Sequence, residues 1–213
     1  MTDNKLINKD TNSEHNPEGN FSKVIEWLKK IFLDEELESQ PPRSRSEYIA
    51  DYSKLAAIAT GIVVLNQLSK NCIRSNINYG QQWIPFESLS PYFRLVNWSN
   101  TGAAFGIFQG ASLFFTILAF FVALMILVYY SVIPAHEKVQ RFTLAMMLGG
   151  AIGNLIDRLQ FGEVTDFIAV GNFPVFNIAD SSISVGAGIL LIAYFFEWRK
   201  IKKEENKGDA TLE

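Results

Sequence analysis

The chain is polar over its first fifty residues and its last fifteen, and mostly apolar between them. One run in the middle, ASLFFTILAFFVALMILVYYSVI from Ala111 to Ile133, carries no charge. It exceeds the roughly 20 residues needed to cross the hydrocarbon core of a bilayer. Three weaker runs accompany it: LAAIATGIVVLNQL from Leu55, between Lys54 and Lys70; FTLAMMLGGAIGNLI, Phe142 to Ile156; and SISVGAGILLIAYFFEW, ending at Trp198. Alone, each could be a buried helix of a soluble core. Beside a fixed span they read as further spans, so the pattern predicts an α-helical integral membrane protein with four transmembrane helices.

Lysine and arginine in the connections orient such a bundle. PAHEKVQR is short and basic, as is the tail RKIKKEENK, and Arg43, Arg45 and Lys54 precede the first span. All three belong on the cytoplasmic side of the membrane, with both termini. Two loops then face outward, about Asn71 to Gly110 and about Leu159 to Ser181. YFRLVNW alternates polar and apolar residues, and QQWIPFES holds strand formers broken by Pro85. A small extracytoplasmic β-rich cap follows. Asn97-Trp98-Ser99 matches a glycosylation sequon, a pattern frequent by chance.

The expected division is a polar cytoplasmic extension, 1–50, a membrane domain, 51–200, and a basic then acidic tail, 201–213. In the extension, Phe21, Val24, Ile25, Leu28, Ile31 and Phe32 share one helical face, with Lys23, Lys29 and Lys30 elsewhere. A helix at 21–33 would lie on the inner membrane surface or pack on protein; the pattern leaves both open. The start of the chain has no apolar stretch of signal-peptide type.

A net charge of −3 gives no reason to expect nucleic acid. Cys72 is the only cysteine, and the two histidines, His15 and His136, lie in distant polar segments. Neither a disulfide nor a zinc site is expected, and Cys72 is expected to be a small buried apolar residue.

Candidate chemistry sits in VTDFIAVGNFPVFNIADSS, residues 164 to 182, which sets Asp166 and Asp180 among apolar residues. No lysine or arginine lies between Arg158 and Arg199. Two carboxylates held together share a proton, because both cannot ionise cheaply. One then acts as base on water, and the other as acid toward a carbonyl and a leaving amine, the aspartic-protease arrangement. A lysine bonded to either would hold it ionised. Asp180 could also cap the fourth helix. GAIGNLIDRL places Asn154, Asp157 and Arg158 on the outer turn of the third span, with Asn154 and Arg158 on one face. Asp157 is expected to orient Arg158. NTGAAFG offers Asn100 and Gly102 before the second span, and FNIAD sets Asn177 before Asp180. An ion path would spread acidic residues through the membrane depth; here they gather at one face.

These words together resemble lipoprotein signal peptidase, also called signal peptidase II. The matching stretches are NQLSK, NTGAAFG, GNLIDR, GEVTDFI and FNIAD, in the family's order and spacing, over roughly Leu55 to Lys200. The resemblance implies an aspartic endopeptidase with catalytic Asp166 and Asp180, supported by Asn100, Asn154, Asp157, Arg158 and Asn177. It implies four transmembrane helices with a small outer β-cradle, no metal and no cofactor. The implied substrates are prolipoproteins, cut just before a diacylglyceryl-modified cysteine, and globomycin is the implied inhibitor. Asn66 stands where the family usually has Asp.

Overall fold

Ser44 opens the first helix. Its hydroxyl accepts from the Glu47 amide, and a Glu47 carboxylate oxygen accepts from the Ser44 amide at 2.7 Å. This capping box satisfies two amides that would otherwise be orphaned at the start of α1 (Arg45–Asn76). The computed structural model describes residues 44–102 and 108–209. The amphipathic segment 21–33, most of the polar extension and Ala103–Ile107 of NTGAAFG lie outside the described residues.

The elements that follow are β1 (Gln82–Trp83), a 3₁₀ turn (Glu87–Leu89), β2 (Phe93–Asn100), α2 (Ser112–Val132), α3 (Lys138–Phe161), β3 (Val164–Val170) and α4 (Ile178–Asp209). Among the described residues, α1, α2 and the Ile178–Lys200 part of α4 are long and apolar enough to cross a membrane. Large apolar side chains on α2, including Leu113, Phe114, Phe120, Phe121 and Met125, point away from the protein. A lipid surface gives such side chains an apolar solvent.

α3 is different. It packs against each of the other three helices. Enclosed in this way, it needs close-packing residues more than apolar ones. Gly149 lets it approach α1: an added Cβ would come within 2.8 Å of the Ala59 carbonyl oxygen. Gly150 does the same for α4, where a Cβ would meet the Ala179 carbonyl oxygen at 2.5 Å. Small residues that bring backbones together are how helices associate when apolar burial alone drives little.

The three strands form one antiparallel sheet in the order β1-β2-β3. The β2–β3 register slips between Leu95 and Trp98, so that Trp98 faces Asp166 and Asn100 faces Val164. Chain order puts the sheet at the end of the bundle where α1 and α3 finish and α2 and α4 begin.

Several expectations change. α1 runs to Asn76, so the first loop starts after Asn76 rather than near Asn71. Asp166 is on a strand and Asp180 in the first turn of α4, not in a loop. Cys72 is exposed, because it lies on the face of α1 turned away from the bundle. Asn97 of the sequon is buried, and its amide donates to the Ile77 carbonyl oxygen at 2.8 Å.

Candidate active site

The site begins with a helix cap. Asn177 directly precedes α4, and its side-chain oxygen accepts from the amides of Ala179 at 2.7 Å and Asp180 at 3.2 Å. Asp180 returns Oδ2 to the Asn177 amide at 3.1 Å. The capping residue is therefore Asn177, and Asp180 is its reciprocal partner, three residues in. Both backbone donors and the helix dipole favour negative charge at that position.

The rest of Asn177 points to the other aspartate. Its Nδ2 donates to Asp166 Oδ1 at 2.7 Å and to Asn154 Oδ1 at 3.2 Å. Asn154, on α3, donates its own Nδ2 to Asp180 Oδ1 at 2.7 Å. From β2, Asn100 donates Nδ2 to Asp166 Oδ2 at 2.9 Å. Asn100 is held in that orientation because its Oδ1 accepts from the Gly102 amide, also at 2.9 Å. Three asparagines thus join two carboxylates, and every donor reaching Asp166 or Asp180 is a neutral amide. Among the described residues no ion pair ends on either one.

Burial divides the two. Asp166 is 2 % exposed, whereas Asp180 is only partly buried. Burial first, and then the nearby Asp180 charge, push the Asp166 carboxyl from 3.8 up to about 6. The Asn100 and Asn177 amides and the more distant Lys70 cation oppose that rise without cancelling it.

The cations come from other helices, not from the neighbouring sequence. Lys70 of α1 is fully buried, with Nζ 2.8 Å from Asp157 Oδ2 and 3.0 Å from Asn154 Oδ1. Arg74, one turn further, reaches Asp157 Oδ1 at 3.3 Å, and Gln67 donates to the same oxygen at 3.0 Å. The Thr165 amide donates to Asp157 Oδ2 at 3.0 Å, which ties β3 to α3 directly before Asp166. Asp157 therefore does not orient Arg158. Adjacent helix positions point about 100° apart, and Asp157 turns to α1 instead. Arg158 has its guanidinium 5.7 Å over the Phe115 ring, and its buried Nε has no hydrogen-bond partner among the described residues.

Asn66 is fully buried below the site. Its Oδ1 accepts from the Ala179 amide at 3.2 Å, so it assists Asn177 in fixing the start of α4. Its Nδ2 has no hydrogen-bond partner among the described residues and faces Gly153, where a Cβ would lie 2.7 Å away.

The residues singled out from sequence converge: Asn100, Gly102, Asn154, Asp166, Asn177 and Asp180 form one bonded set, with Asp157 joined to it through Lys70 and Asn154. Lys70, Gln67 and Arg74 had been given no role. Their signal was present, since a Lys and a Gln inside a membrane-spanning run are costly unless paired.

A family model described as signal peptidase II matches residues 58–196. The lipoprotein signal peptidase of Halalkalibacterium halodurans is 40 % identical over 153 residues, covering 70 % of this chain and 96 % of that protein. That of Bacillus subtilis is 40 % identical over 152 residues, covering 70 % and 97 %. A bacterial membrane enzyme solved by the in meso method superimposes with a TM-score of 0.62 at 30 % identity, covering 68 % of this chain and 89 % of that one. A similar title belongs to a second structure, with a TM-score of 0.59 at 29 % identity. Matches of this extent, over most of the bundle and its sheet, mean that the chain belongs to the signal peptidase II family of aspartic-type membrane peptidases.

Proposed function

We propose that Asp166 and Asp180 are the catalytic dyad of a peptidase that removes signal peptides from prolipoproteins, cutting just before a diacylglyceryl-modified cysteine. The observation that carries this reading is the all-amide setting of the two carboxylates. An amide donor steadies a carboxylate without supplying the full positive charge that would hold it ionised.

The asymmetry of the pair supports an assignment of roles. Asp180, at a helix N-terminus and open to water, starts as the ion. Asp166, buried, starts with the proton. Asp180 takes a proton from water as the oxygen attacks the scissile carbonyl carbon, and Asp166 donates to the carbonyl oxygen. The proton gained by Asp180 then passes to the leaving nitrogen as the carbon–nitrogen bond breaks, while Asp166 takes its proton back from the former carbonyl oxygen as the C=O bond re-forms. The products are a new carboxyl group and the free amine of the lipidated cysteine.

Among the described residues close to the dyad, Arg158 is the cation left for the substrate, since Lys70 and Arg74 are taken by Asp157. Asn100, Gly102, Asn154 and Asn177 support the dyad and the substrate backbone.

In the full reading α3 is a fourth transmembrane helix, enclosed by the other three. PAHEKVQR and both termini lie in the cytoplasm, and the dyad lies at the outer face of the inner membrane. The acyl chains of the substrate can stay in lipid while the peptide reaches the sheet. Residues 1–50, the last of which already belong to α1, and the tail 201–213 are assigned to the cytoplasm. Globomycin competes for the same site.

Labelling tests the topology: a single cysteine at Gly171, in a Cys72→Ser background, should react with an impermeant reagent from outside, and one at Lys207 should not. The reverse pattern would put the dyad on the wrong side. Purified protein should cleave a lipidated prolipoprotein, and globomycin should stop it. An intact substrate would end the peptidase reading.

A further inference from the structure

Lys70 is a buried cation two hydrogen bonds away from the catalytic Asp180, and the mechanism above gives it no part. Its Nζ lies 3.0 Å from Asn154 Oδ1. Asn177 Nδ2 approaches the same oxygen at 3.2 Å. An ammonium donates and never accepts, so the edge of Asn154 that faces Lys70 must be its oxygen. The amide plane then turns the NH₂ edge the other way, where it meets Asp180 Oδ1 at 2.7 Å.

We propose that Lys70 is a positioning residue of the dyad: by holding the oxygen of Asn154, it forces the amide to donate to Asp180 and so keeps the dyad proton on Asp166. The proposal rests on the peptidase reading of the site.

The physics turns on the near-equal size of the two amide edges. Oxygen and NH₂ occupy almost the same space, so without Lys70, Asn154 would be held on its oxygen edge only by the 3.2 Å bond from the neutral Asn177 amide and would flip more readily. In the flipped state Asn154 would present an acceptor to Asp180. That acceptor suits a protonated Asp180 and repels an ionised one. The proton would then divide between the two aspartates, and part of the enzyme would lack a base open to water.

The surroundings fit this role. Lys70 is anchored by Asp157 at 2.8 Å, and Asp157 has a second cation in Arg74 at 3.3 Å. Holding Asp157 therefore does not by itself require Lys70. The charged or titratable groups around the dyad are Lys70 and Arg74 on α1, Asp157 and Arg158 on α3, Asp166 on β3 and Asp180 on α4. Among them Lys70 is the one that bonds Asn154.

The test compares wild type, Lys70→Met and the double variant Lys70→Met with Asp157→Asn, in which both members of the buried ion pair become neutral. All are assayed on a lipidated prolipoprotein, with kcat and KM measured separately across pH 4 to 9 and thermal unfolding recorded. In the folded double variant kcat should fall about 100-fold, as for a misdirected catalytic group, while KM changes less than about threefold. The pH profile should also lose its wild-type shape, because the proton is no longer confined to one aspartate. A double variant that unfolds at the wild-type temperature with the wild-type kcat and pH profile would overturn the proposal and leave Lys70 a structural ion.

Should neither variant fold, wild-type protein labelled with ¹⁵N-asparagine gives the answer. The Asn154 side-chain NH₂ signal, identified by its loss in Asn154→Ala, should move as the dyad titrates. A signal that stays still through that titration contradicts donation to Asp180. Failure of wild type to cleave the substrate would count against the peptidase reading instead.

Discussion

Two groups of buried charge sit at opposite ends of this bundle, and they are built on different terms. At the end away from the sheet, Asp51 of α1 meets Arg141 of α3 at 2.7 Å. Arg141 also donates to the Ile133 carbonyl oxygen at 2.8 Å and lies 4.2 Å over the Tyr130 ring. Tyr130 closes the circle by donating to the Asp51 carbonyl oxygen at 3.2 Å. Each charge there has a full opposite charge, and three helices are locked together. At the sheet end Asp166 and Asp180 receive only amides, and the ion pairs stop at Asp157. A carboxylate matched by a guanidinium is fixed in charge; one matched by amides can exchange a proton. The same side chain therefore serves stability at one end and chemistry at the other.

The sharpest way to break this contrast is to neutralise the dyad. Asp166→Asn and Asp180→Asn should each lower cleavage by about 1,000-fold or more while the protein still inserts and purifies normally. The two act as a unit, so the double variant should be no worse than either single one. Cleavage by either single variant near the wild-type rate would remove the dyad.

Arg141→Met should act at the other end and in the opposite sense. It removes the charged hydrogen bond to the buried Asp51, which keeps only the longer 3.7 Å approach of Lys54 among the ion pairs described, at a cost of about 2 kcal/mol. Unfolding temperature should drop, while the molecules that remain folded keep their kcat. A stable variant with impaired catalysis would mean that the two ends are not separate in function.

Asp166 also has a stability signature. Its folded value of about 6 lies above the unfolded 3.8. The fold thus favours the protonated form. Its stabilising contribution is complete below the unfolded value and is lost as pH rises through about 6. From pH 4 to pH 8 wild type should lose about 2 kcal/mol relative to Asp166→Asn, which cannot titrate. Parallel unfolding curves for the two proteins across that range would show that Asp166 is not held in this way.

Asn66 should give the smallest effect. Asn66→Leu removes the second acceptor of the Ala179 amide and should cost about 1 kcal/mol. Asn66→Asp keeps that acceptor and should still cleave, with the basic limb of its pH profile displaced upward by the added negative charge. An unchanged unfolding temperature in the Leu variant would show that Asn177 alone satisfies the Ala179 amide.

The helices and the two aspartates were legible because they rest on local signals. A charge-free run sets α2, and FNIAD contains both the cap and its reciprocal partner. Alternation in YFRLVNW pointed to β2, and Asn100, Asn154 and Asn177 came with the words that carried the resemblance. What could not be read was how helices far apart in sequence would face one another. The charged partners of Asp157 lie more than eighty residues away on α1. Sequence proximity suggested Arg158, although adjacent helix positions diverge. α3 looked like a weak span because charges mark both of its ends and glycines its middle. Enclosure by three neighbours explains that composition, and no property of the segment alone reveals enclosure. Cys72 was misplaced for a related reason: residue type gives a tendency to be buried, but the helix face decides.

The central claim is that two carboxylates held by neutral amides cut a lipidated signal peptide. Its most direct test is a single gel-based assay. Purified wild type, Asp166→Asn and Asp180→Asn are each incubated with a diacylglyceryl-modified prolipoprotein and with the same protein lacking the lipid. Wild type should cut the lipidated protein just before the modified cysteine and leave the other intact, and neither variant should cut at all. Cleavage by either variant at the wild-type rate, or an uncut lipidated substrate with well-folded wild type, would contradict the account.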